Sequence, residues 1–80
     1  MDELTVFCRN IRFLRLKNSY SMTKMSKTIG VSIHTLRSLE AGHIPKNLSS
    51  AVVFRTAVHF GIRASSLFIP LTPLYSAYNG

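Results

Sequence analysis

Leu4, Phe7, Cys8, Ile11 and Leu14 recur at intervals of three and four residues, while Arg9, Arg12 and Lys17 fall mostly on the other side. This spacing predicts an amphipathic helix over residues 3–18. Two shorter helical patterns follow, over 22–29 and 33–41, separated by Gly30, Val31 and Ser32. Gly30 tolerates the left-handed backbone that ends a helix, and Ser32 can accept a hydrogen bond from a free N–H in the next first turn. Val31 and Leu36 fit a hydrophobic staple, an arrangement repeated one helix earlier by Tyr20, Ser21 and Met25. Helices this short do not persist alone in water. Met25, Ile29, Val31, Leu36 and Leu39 are therefore expected to share a core, leaving Ile33, His34, Arg37, Ser38 and Ala41 facing outward.

His43 to Asn47 reads as a loop, because Pro45 blocks helical continuation of the residue before it. A fourth helix is expected over 49–60, led by Ser49 or Ser50, burying Val53, Phe54, Ala57 and Phe60, and stopped by Gly61. Residues 62–68 form a short fifth helix in this reading. The final segment, 69–80, holds apolar Ile69, Leu71, Leu74, Tyr75 and Tyr78 together with Pro70 and Pro73, and the prolines argue against a helix through its first half. The fold class is thus all-α: one domain over 1–68 and an apolar tail over 69–80.

The run from Ser21 to Gly42, preceded by Leu14-Arg15 and followed by Pro45, resembles the helix-turn-helix of the Cro and phage-repressor (xenobiotic-response-element type) family. The most specific matches are Ile29-Gly30-Val31-Ser32, Leu36, Leu39-Glu40 and Gly42, and the resemblance covers roughly residues 10–68. It implies a five-helix, lambda-repressor-like domain whose helix-turn-helix lies at helices 2 and 3, with the third helix in the DNA major groove. Three features depart from the family pattern. Met22 stands where relatives often carry a polar DNA contact, and Ile33 opens the third helix with a side chain that can touch only a thymine methyl. The stretch between Gly42 and Ala57 is about three residues longer than is usual in the family.

Charge points the same way. Ten Lys and Arg stand against three acids, a net charge of +7, which is the footprint of a polyanion ligand whose phosphates release counterions when neutralised. No apolar run approaches the roughly 20 residues of a spanning helix, and Met1-Asp2-Glu3 is not a basic signal-peptide start, so a cytosolic protein with no membrane partner is expected. Cys8, the single cysteine, sits on the apolar stripe of the first helix and is expected to pack in the core.

Ile33, His34, Arg37 and Ser38 are the expected base contacts; Arg37 can take guanine O6 and N7 bidentately, and Ser38 matches a base-reading position of the family. Ser21, Lys24, Lys27, Thr35, His43 and Lys46 are the expected phosphate contacts, setting orientation without reading sequence. Lys24 lies in the first turn of its helix, where positive charge opposes the helix dipole; a phosphate nearby reverses that effect. Glu40 matches a family position that pairs with an arginine at the position of Arg15, which implies a structural ion pair between the first and third helices.

Enzymatic chemistry and cofactors are not expected. Asp2, Glu3 and Glu40 offer no carboxylate pair, and Cys8, His34, His43 and His59 have neither metal-ligand spacing nor a nucleophile context. His59 is expected to be a half-buried structural residue. The expectation is therefore a regulator of transcription that binds duplex DNA, as a homodimer on half-sites roughly one turn apart. The alternative is a protein-interaction module of the same fold, an antitoxin or regulator-binding partner, using the apolar tail as its contact. RNA is disfavoured because the aromatics do not form a stacking platform.

Overall fold

The computed structural model describes residues 2–46 and 48–71. Among them are four α-helices, α1 (Glu3–Lys17), α2 (Met22–Ile29), α3 (Ile33–Glu40) and α4 (Ser50–Phe60), then one 3-10 helix (Ala64–Phe68), and no strand. The expected contact of the tail falls largely on residues 72–80, which lie outside the described residues.

The helix starts follow from side-chain caps. Asp2 accepts from the Thr5 N–H at 2.8 Å and from the Thr5 hydroxyl at 3.1 Å, and these bonds hold its carboxyl below the usual aspartate range. Ser21 accepts from the Lys24 N–H and Ser32 from the Thr35 N–H, each at 3.0 Å. The ends share another device: the N–H of Tyr20, Val31, His43 and Ile62 each reaches back five residues, to the carbonyl of Arg15, Ser26, Ser38 and Ala57. Such closures need a left-handed residue. Glycine supplies it at three of the ends, but after α1 the position is taken by Ser19, at φ 56°.

Phe7, Ile11 and Leu14 of α1, Met25 and Ile29 of α2, Leu36 and Leu39 of α3, Val52 and Ala57 of α4, and Leu67 form one buried core. Cys8 is buried with them, and burial pushes its thiol pKa up. Phe7 also stacks on Phe68, with ring centres 5.5 Å apart.

Three expectations need correction. In α4 the buried residues are Val52, Thr56 and Ala57; Val53 and Phe60 are only partly buried, and Phe54 is 66% exposed. The helix is rotated because Thr56 can be buried at no polar cost: its hydroxyl donates to the Val52 carbonyl at 2.7 Å. Leu4, placed on the apolar stripe of α1, is exposed. The fifth element is a 3-10 helix that starts only at Ala64, because Arg63 is extended and two serines follow. It ends as Pro70 requires, with Ile69 extended at φ −116°, ψ 135°.

Asn10 holds this last element in place. Fully buried on α1, it donates through Nδ2 to the carbonyls of Leu67 (2.7 Å) and Ile69 (2.9 Å) and accepts the Leu71 N–H on Oδ1 at 3.0 Å.

Candidate nucleic-acid interface

α3 divides into two faces. Leu36 and Leu39 are fully buried, whereas His34, Arg37 and Ala41 are exposed along one stripe of the helix and its cap. Ile33 and Ser38 flank that stripe half-buried. Thr35 lies off it: its side chain lines a pocket of about 270 Å³ with Pro45, Leu48 and Val52, and its hydroxyl receives the Ser32 hydroxyl proton at 3.0 Å. Arg37 thus carries the fixed positive charge of the exposed stripe, one turn beyond His34.

The angle at which α3 leaves the body is set behind it. Arg15 grips Glu40 bidentately, Nε to Oε2 at 2.7 Å and Nη2 to Oε1 at 2.8 Å, with both side chains largely shielded from solvent. The hydrogen bond to Glu40 raises the Arg15 pKa further. Arg15 Nη1 reaches the Tyr20 carbonyl at 3.4 Å, so one guanidinium links α1, the start of α2 and the end of α3.

Of the expected phosphate contacts, Ser21, Lys24 and Lys27 come together on α2, where with Thr23, Thr28 and His59 they line an open cleft of about 520 Å³. His43 and Lys46 are exposed on the loop between α3 and α4. Met22 packs, partly buried, against the core, which accounts for an apolar residue at that position.

Sequence spacing misplaces one basic residue, His59, and passes over another, Arg55. His59, expected half-buried, is exposed because the rotation of α4 turns it outward, and its Nε2 lies 2.9 Å from the Tyr20 hydroxyl. Tyr20 also carries the Lys24 ammonium 4.7 Å above its ring. Arg55, one turn before His59, lays its guanidinium over Gly30, whose left-handed backbone, φ 79°, is what favours glycine there. The detectable signal was the i, i+4 spacing of Arg55 and His59.

The acids are few and two are engaged: Asp2 caps α1 and Glu40 holds Arg15, leaving Glu3 in the first turn of α1. Among the described residues, no helix is long and apolar enough to cross a membrane. No family model matches the chain, and neither the curated proteins nor the solved structures gave a match.

Proposed function

We propose that the chain is a Cro/phage-repressor-like helix-turn-helix domain, formed by α2 and α3, that binds duplex DNA and regulates transcription as a homodimer. The observation that carries this reading is the exposed His34–Arg37–Ala41 stripe on a short helix whose opposite side is fully buried. A chain of net charge +7 does not present such a helix to another cationic surface; it presents it to a polyanion. In the groove, Arg37 reads a guanine through O6 and N7, His34 a base edge or adjacent phosphate, Ile33 a thymine methyl, and Ser38 a further edge. Ser21, Lys24, Lys27, His43 and Lys46 fix the register on the phosphates. Promoter occupancy then excludes or recruits polymerase.

In-vitro selection from randomised duplex DNA at near-physiological salt tests the reading, since non-specific binding is weak there. Enrichment of an inverted repeat with half-sites about one turn apart is the expected result. Failure of folded protein to enrich any sequence overturns it. A second reading, a protein-interaction module, is favoured by one feature: Phe54 and Val58, one turn apart on α4, are both mostly exposed.

A further inference from the structure

We propose that the seam between α2 and α4 is a second DNA contact, in which Lys24, Lys27, Arg55 and His59 hold backbone phosphates flanking the groove that α3 enters. The inference rests on the duplex binding proposed above and adds Arg55 and His59 to it. The two helices run antiparallel: Arg55 packs on Gly30 at the end of α2, and His59 meets Tyr20 just before its start. Two cations on each helix therefore border one seam.

Three properties of the seam select a phosphate backbone. Its cleft is lined by hydroxyls, two lysines and a histidine, with no apolar side chain among Ser21, Thr23, Lys24, Lys27, Thr28 and His59. A phosphate diester is held by cations and hydrogen-bond donors, and the cleft presents both. Two of the cations are also ordered in advance. The Tyr20 ring supports Lys24 and the Tyr20 hydroxyl holds His59, so less side-chain freedom is lost at these two when an anion arrives. Finally, Lys24 occupies the positive end of the α2 dipole with no acid in its helix's first turn. An anion in the cleft reverses that repulsion, and Ser21, whose oxygen caps the Lys24 N–H, keeps its hydroxyl proton for the same anion.

The test is the salt dependence of duplex binding by the full chain, followed by fluorescence anisotropy from about 50 to 200 mM salt on the selected site and on a random duplex. The double variant Lys27→Gln/Arg55→Gln is expected to shallow the slope of log K against log salt by about two, and to weaken both duplexes by the same factor. His59→Gln, which can still meet the Tyr20 hydroxyl, is expected to remove up to one further contact. An unchanged slope with the parent melting temperature overturns the seam while leaving α3 reading intact. A loss confined to the selected site also overturns it, because phosphate contacts carry no sequence. Failure of the parent chain to bind any duplex overturns both proposals. Arg55 is exposed, so Arg55→Gln alone keeps the fold and reads the added contact even if the double variant is unstable: a slope shallower by about one is expected, and an unchanged slope overturns the seam.

Discussion

The backbone N–H of Leu71 ends on the side-chain oxygen of Asn10, 3.0 Å away across 61 residues of chain, and the same amide's nitrogen serves the carbonyls of Leu67 and Ile69. One side chain thus satisfies three backbone groups that the last turn leaves open. Asn10→Ala strands them, and each buried unpaired group costs about 1–3 kcal/mol. Because only the Leu67 bond is fully buried, the expected loss is about 2–4 kcal/mol in urea denaturation. Hydrogen exchange at Leu71 should accelerate more than exchange within α2. Equal acceleration throughout would mean that Asn10 supports the whole core and not its last segment.

The pair of Arg15 with Glu40 predicts a loss of a different kind. Both side chains are largely shielded, so Glu40→Ala leaves a guanidinium with only the long bond to the Tyr20 carbonyl. Removing one partner of a buried pair costs about 3–5 kcal/mol, and residual solvent access at Arg15 brings the expectation to about 2–4 kcal/mol. Replacing both by apolar residues of similar size should recover much of that loss, since the desolvation of two charges is then absent. A parent-like melting temperature for Glu40→Ala would show that the ion pair contributes nothing to the tie between α1 and α3.

How far the chain could be read in advance follows from these residues. α2 came out to the residue because its signals are local: a serine cap, a short apolar stripe and a glycine stop. α4 was placed to within one residue but rotated, since a hydrophobicity pattern counts Thr56 as polar, whereas in a helix its hydroxyl satisfies itself on Val52. Asn10 stands at helical spacing from Phe7 and Leu14 and so belongs to the buried face, yet its partners lie 57 to 61 residues away. Periodicity reports a face, not what crosses it. The same limit hid the seam: Lys24 and Lys27 were visible as cations on α2, but only the antiparallel packing of α4 brings Arg55 and His59 beside them.

Ser19 offers a gain. It holds a left-handed backbone, φ 56°, to let Tyr20 close onto Arg15, and its side chain is exposed. Glycine adopts that conformation without the Cβ clash, so Ser19→Gly is expected to stabilise the fold by about 0.5–1 kcal/mol despite the greater freedom of its unfolded chain. Chemical denaturation measures it directly. A loss of stability would mean that the Ser19 side chain does more in the folded state than its exposed position suggests.

Arg37 and Lys46 test the proposed division between reading bases and holding the backbone. Both are exposed cations, Arg37 on the α3 stripe and Lys46 on the loop beyond His43, so truncating either should leave the melting temperature near that of the parent. If α3 enters the major groove, Arg37→Ala loses a bidentate guanine contact, costs about 1–3 kcal/mol on the selected site, and relaxes preference at one base pair. Its effect on a random duplex is then far smaller. Lys46→Ala should weaken selected and random duplexes alike and shallow the salt slope by about one, because a phosphate is the same at every step. Titrating both variants against both duplexes gives four numbers with one informative pattern. Equal losses from Arg37→Ala on the two duplexes would reassign Arg37 to the backbone, and base reading would then rest on His34, Ile33 and Ser38.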